Sequence, residues 1–444
     1  MLEDILQLLE QKEYAAVRQQ LSTLNPIDTA VMLEEANERQ TLIIFRLLPK
    51  ELAANTFVEL SADRQEALIK AFSDSELEEV IDELYLDDAV DIIEEMPANV
   101  VARILRHTDA DTRMRINEVL NYPDDCAGSL MTIEYVSLRA DVTVADAFLT
   151  IRRTGIDKET IYTCYVVGPD RRLMGVVTAK ALMLADPDSL ISEIMDTNVI
   201  SVGTLEDKEV VAQTFSKYDM LALPVVDGEN RLVGIVTVDD AIDVMEEEAT
   251  EDIEMMAAIT PTDKPYMKTG VFETWRKRIP WLLLLMISAT FTGSIIQSFE
   301  GALAAYVVLT AFIPMLMDTG GNSGSQASVS VIRALSLGDV ETRDIFAVIW
   351  KEFRVALLCG VSLAAANFVK ILLVDRVSVS VAAVVCITLS VTVVVAKIIG
   401  CTLPILAKAI KLDPAVMASP FITTIVDAVS LLVYFAVASS VLGI

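Results

Sequence analysis

The chain has 444 residues, 53% of them hydrophobic, and a formal net charge of −29. That length exceeds one domain, and the charge excludes a nucleic-acid binder held by phosphate contacts. One histidine, His107, excludes a multi-histidine metal site, and five cysteines without C-x-x-C spacing indicate neither a disulfide frame nor a zinc site.

The charge is uneven. Residues 1–270 carry 54 acids and 23 bases, whereas residues 271–444 carry 10 and 12. An acidic, water-facing half therefore precedes an apolar membrane half. Met1 to Glu13 is acidic and has neither the basic nor the apolar region of a signal peptide.

Residues 1–127 read as an all-α, superhelical N domain. Helical stripes such as Leu2, Ile5, Leu6, Leu9 and Ala67, Leu68, Ala71, Phe72 alternate with breaks at Asn25-Pro26, Leu48-Pro49, Ser61-Ala62-Asp63, Ser73-Asp74-Ser75 and Met96-Pro97. Ser61 and Ser73 are expected N-caps. Residues 128–242 contain a repeat. LMTIEYVSL (130–138) echoes IMDTNVISV (194–202), and YVVGPDRRLMGVVTAKAL (165–182) echoes PVVDGENRLVGIVTVDDAI (224–242). Each copy reads β-α-β-β-α.

Residues 243–278 form an acidic connecting helix and a linker. Asp240, Asp243, Glu247, Glu251 and Glu254 share one helix face, with Glu248 and Asp252 beside them. Like charges at this spacing destabilise a lone helix. Asp87 and Asp91 in the N domain and Asp207, Glu209 and Asp219 in the second repeat add carboxylates without a matching basic cluster. Such oxygen-only sets suit Mg²⁺ or Ca²⁺.

Residues 279–444 read as a transmembrane domain of five helices: Trp281–Phe299, Leu303–Leu337, Phe353–Val374, Val377–Ile399 and Pro414–Leu442, each long enough against the roughly 20 residues a bilayer requires. Basic residues flank one side (Arg276, Lys277, Arg278, Arg333, Arg343, Lys351, Arg354, Lys408, Lys411), which places the N-terminal domains in the cytoplasm and the C-terminus outside. The second span is expected to break at DTGGNSGSQAS (318–328), where irregular backbone would line a cavity. The fifth span holds one ionisable group at depth, Asp427. A carboxylate there is disfavoured by at least ~2.5 kcal/mol unless it faces a bundle interior or water. Two readings stay open for it: a buried helix–helix contact, or a cation site with Asn322, Thr423 and Thr424 as wall groups.

PMLMDTGGNSGSQAS and LDPAVMASPFITTIVDAVSLL, behind a helical domain and two CBS-like modules, resemble the MgtE family of magnesium channels and transporters. The resemblance implies a homodimer in the cell membrane, with Mg²⁺ held in the pore at Asp427 and Ser419 just before it. It also implies Mg²⁺ closure of the channel through Asp87, Asp91, Asp207, Glu209, Asp219, Asp240, Asp243, Glu248, Glu251 and Asp252. Thr237 and Asp240 resemble a CBS ribose-binding pattern, which makes ATP an expected ligand. No enzyme arrangement and no phosphate loop are present in the sequence. The competing reading is a membrane-anchored cation or nucleotide sensor without a pore.

Overall fold

The computed structural model describes residues 2–262, 266–267, 269–417 and 419–442, with the side chains of Asp157 and Ser419 left out. Part of the expected linker, residues 263–265 and 268, therefore lies outside the described residues. The chain divides into two units after Met245.

The first unit opens with ten short helices, from α1 (Leu2–Glu10) to α10 (Ala110–Val119). The local chemistry explains where they begin. Asn25 accepts a bond from Asp28 N with Pro26 at the first helical position, and Pro49 and Pro97 precede α5 (Lys50–Val58) and α9 (Ala98–His107). Ser73 forms a reciprocal capping box with Glu76 ahead of α7 (Asp74–Ile81). Ser61 makes no side-chain cap, contrary to expectation; its backbone N–H instead donates to Glu34 at 2.8 Å. Helices pack on their second neighbours around one continuous core that includes Leu33, Ile44, Phe57, Ile69, Leu77 and Ile104. That is the solenoid logic of short amphipathic elements which cannot bury their faces alone.

The repeat folds as two matching three-stranded sheets. In the first, β1 (Tyr135–Leu138) runs parallel to β2 (Thr160–Val167), which pairs antiparallel with β3 (Leu173–Thr178). Helices α11 (Val144–Thr154), α12 (Ala179–Leu184) and α13 (Ile191–Ile194) accompany it. In the second, β4 (Val202–Gly203), β5 (Ala222–Val226) and β6 (Leu232–Thr237) repeat the order, with α14 (Lys208–Tyr218) between β4 and β5. The modules meet through a shared core of Tyr165, Leu173, Ala222, Leu232 and Ile235. From β6 the chain passes into α15 (Val238–Met256).

In the second unit, α16 (Val271–Ser298) is followed by the short α17 (Glu300–Ala305), a 3₁₀ turn at Val307–Phe312 and α18 (Ile313–Ser336). Then come α19 (Ile345–Lys370), α20 (Val379–Ala409) and α21 (Ser419–Leu442). Among the described residues, four segments are long and apolar enough to cross a membrane: Val271–Ser298, Thr342–Asp375, Val379–Ala409 and Pro414–Leu442. The polar α18 is not among them.

The expected break at 318–328 is absent. α18 runs unbroken through DTGGNSGSQAS, and Pro314 sits in its first turn, where no N–H is needed. The interruption lies earlier, between α17 and the 3₁₀ turn. Tertiary packing explains the glycines. A Cβ at Gly320 would meet Thr392, Val426 and Ser430 within 3.0 Å, and one at Gly400 would overlap the Gly324 carbonyl. Small residues four apart let α18 seat tightly against α20 and α21.

Candidate ion path and metal centre

Asp427 lies on α21 and is half-buried. The neighbouring α18 presents an exposed polar row of Asp318, Asn322 and Gln326, spaced four apart. Asp318 is near enough to Asp427 to repel it. It was not among the expected wall residues, although its place four residues before Asn322 was the available signal. Thr423 and Thr424 each donate their hydroxyl to Pro420 O at 3.0 Å. Their lone pairs are thus left as acceptors, the polarity a cation or its water requires. Thr423 also packs against Gly321. The side chain of Ser419 lies outside the described residues.

A second carboxylate cluster sits in the first unit. Ligand oxygens of Asp87, Glu159 and Asp240 lie within 4.8 Å of one another. Asp87 stands at the start of α8 (Leu86–Glu95) and is 8% exposed. Asp240 is fixed in the first turn of α15, where it accepts from Thr237 N at 3.2 Å and from Thr237 Oγ1 at 2.5 Å. One buried oxygen of Glu159 has no hydrogen-bond partner. Burial, then the neighbouring carboxylates, push Asp87 and Glu159 well above the usual range. Burial raises Asp240 as well, partly offset by its Thr237 bonds. Burial and then neighbouring carboxylates lift Asp88 to about 6 and Asp91 to about 7. Burial and then Asp243 raise Glu59. A divalent cation would relieve this strain with three carboxylate oxygens, a hard donor set. Glu159 was missed from the sequence because only the folding of α8, β2 and α15 together reveals it.

The other expected acids are placed differently. Asp207 accepts from Glu209 N at 2.9 Å and caps α14. Asp219 closes the same helix in a left-handed conformation. Twelve residues at 1.5 Å each put them about 18 Å apart, so one ion cannot join them within this chain. Glu209 accepts from Gln213 at 3.2 Å. Asp243, Glu248, Glu251 and Asp252 continue along α15, which ends with Met255 and Met256 packed on Ile332 of α18 and on Ala415.

This combination defines a polytopic membrane protein whose first half is strongly acidic. Comparison with known proteins gives the class. Residues 313–437 match a family described as divalent cation transporter, residues 24–125 match the MgtE intracellular N domain, and residues 127–188 and 191–247 match CBS domains. The chain is 37% identical over 438 residues to "Magnesium transporter MgtE" of Thermus thermophilus, covering 97% of this chain and 96% of that one. It is 32% identical over 440 residues to the Bacillus subtilis protein of the same name, covering 98% and 96%. A crystal structure of "the cytosolic domain of the Mg2+ channel MgtE in complex with ATP" matches 55% of this chain and all of its own, at 37% identity and TM-score 0.53. The chain belongs to the MgtE family.

Proposed function

We propose that this protein is a Mg²⁺ channel or transporter of the cell membrane and not an enzyme. It would act as a homodimer, with its N-terminal domains in the cytoplasm and its C-terminus outside. The observation that carries the reading is Asp427, alone in an apolar helix yet set beside the polar row of α18. Hydrated Mg²⁺ gives up water reluctantly. A path lined by two copies of Asp427, with Asn322, Ser419, Thr423 and Thr424 around them, would bind the ion through its water shell. Asp318 would add negative charge to the same path. Entry into a negative-inside cell is favoured by ~2.3 kcal/mol per charge per 100 mV, or ~4.6 for a divalent ion, so no ATP hydrolysis is required.

The division of labour follows the four segments 1–127, 128–242, 243–278 and 279–444. Mg²⁺ at Asp87, Glu159 and Asp240 would hold the N domain against the CBS pair. Asp91, Asp207, Glu209, Asp219, Asp243, Glu248, Glu251 and Asp252 would serve further regulatory ions, some shared with the second copy. Closure at high Mg²⁺ then follows from differential affinity for the two states. The relative's ATP complex supports a nucleotide at the CBS pair, with Thr237 and Asp240 as candidate contacts.

The test is Mg²⁺ entry into proteoliposomes, with cytoplasmic Mg²⁺ held at micromolar and then at ~10 mM. Flux at the low level, loss at the high level and no flux in Asp427→Ala are expected. Normal flux in that variant refutes the pore assignment. Absence of flux in the unmutated protein returns the case to a sensor anchored by its helices.

A further inference from the structure

The first unit is strongly acidic, yet one cavity in it has three cations and a single acid in its lining. It has a volume of about 590 Å³, within the range of small-molecule sites. α10 contributes Arg115, Lys158 precedes β2, and Arg171 comes from the β2–β3 hairpin. Among the described residues none of the three closes an ion pair. One acid, Glu118, shares the lining.

The aromatic wall is held in place. Tyr135 meets Tyr165 edge to face, with ring centroids 5.9 Å apart. Its hydroxyl donates to Leu232 O at 3.4 Å, and Arg171 Nη2 reaches that hydroxyl at 3.3 Å. Arg171 itself sits at φ 64° in the β2–β3 turn and lines the cavity. Residues 131, 133, 135 and 137 line the cavity on alternate positions. The intervening Thr132 and Glu134 bond to each other at 2.7 Å, and burial of Glu159 beside Thr132 puts them on the side of the carboxylate cluster. The cavity is therefore separate from the Thr237–Asp240 motif.

We propose that this cavity binds a phosphorylated ligand of mononucleotide size. Its phosphate is received by Arg115, Lys158 and Arg171. Its base lies against Tyr135 and Tyr122, and Glu118 accepts from a sugar hydroxyl. Leu86, α10 and Tyr122 belong to the helical domain, residues 131–171 of the lining to the first CBS module and Val233 to the second, so the occupant bridges the helical domain and the CBS pair.

The test is equilibrium binding of AMP, ATP and inorganic phosphate to the full-length protein in detergent, in EDTA and in Mg²⁺. Arg115 is exposed and Lys158 half-exposed, so the pair Arg115→Glu and Lys158→Glu should fold; Arg115→Gln with Lys158→Gln is the milder version, and melting curves check both. A nucleotide-binding component of the unmutated protein that is weakened at least about tenfold in either pair and retained in Thr237→Val supports the site. Nucleotide binding that ignores Arg115 and Lys158, or is lost only in Thr237→Val, overturns it. So does the absence of binding at millimolar nucleotide. Inorganic phosphate competing as strongly as AMP would assign the cations to free phosphate and overturn the nucleotide. Flux is not read, so the result stands apart from the pore assignment.

Discussion

Replacing Asp87 by Asn tests the carboxylate cluster most directly. The three ligand oxygens lie within 4.8 Å, so each ionised pair repels by about 3 kcal/mol at an effective dielectric near 20. Asn removes two of the three pairs. The realised gain is smaller, because burial and the neighbouring carboxylates raise the pKa of Asp87 and Glu159, so protonation relieves part of the repulsion. Asn keeps the oxygen that accepts from Asp88 N at 3.1 Å, so local geometry survives. Without Mg²⁺ the variant's soluble half should gain about 1 kcal/mol or more, which is ~2–4 °C in melting temperature for a unit of this size. With Mg²⁺ at a hundred times its Kd, the unmutated protein should gain about 2.7 kcal/mol, and the variant less than half of that. The assay is thermal unfolding at pH 8 in EDTA and in Mg²⁺, followed by circular dichroism. An unchanged Mg²⁺ gain, or a lower melting point in EDTA, would refute the reasoning.

Three further outcomes are expected. Burial raises the pKa of Asp88 to about 6 and of Asp91 to about 7, so the folded unit binds more protons than the unfolded chain and, without metal, loses stability as pH rises through that window; Mg²⁺ needs the deprotonated forms, so its half-saturating concentration should climb as pH falls from 8 to 6, by up to about tenfold per unit for each proton released. Gly400→Ala should cost about 1–3 kcal/mol and lower flux, because the new methyl meets the backbone of Gly324, while Gly293→Ala, with nothing within 4 Å, should be neutral in detergent melting curves. Lys397 is 5% exposed and its Nζ lies 3.8 Å from Glu352 on α19, so Lys397→Met should lower stability by about 3–5 kcal/mol through the stranded carboxylate, and adding Glu352→Gln should restore most of it.

The sequence carried the soluble folds because their signals are local. Caps such as Asn25 and Ser73, and turn-bounded apolar strands repeated in order, fix short elements without reference to distant contacts. Asp427 stands out in the sequence for a different reason: it is one charge in an apolar stretch. The glycine-rich stretch of α18 misled because Gly, Asn and Ser are weak helix formers in isolation. Inside the bundle, Gly320 and Gly324 instead permit a close approach that packing enforces. Asp207 also caps a helix, which the following Lys208–Tyr218 stripe could have suggested. Glu159 had no such signal. Its partners lie 72 residues before it and 81 after it, and only tertiary folding brings the three together.

α15 connects the two chemistries. Asp240 lies near its start, and Met255 lies fifteen residues on, about 22 Å along the axis, packed on Ile332 of α18 and on Ala415. Neutralising the start of the helix therefore acts on an element whose far end is seated against α18. The energetics limit how this can switch. Moving a two-state equilibrium from 1:99 to 99:1 takes about 5.5 kcal/mol. One ion at a hundred times its Kd supplies about 2.7. The Asp87–Glu159–Asp240 cluster alone would thus leave the switch half thrown. A full transition requires at least a second ion of similar strength, and the remaining acids of α15, from Asp243 to Asp252, are the groups on the same helix that could hold it. Closure by two or more ions should be steeper in Mg²⁺ than a single-site curve. Neutralising Glu248 and Glu251 together should flatten it toward one site while leaving the Asp87-dependent stabilisation intact. A closure curve that is single-site in the unmutated protein would contradict this division.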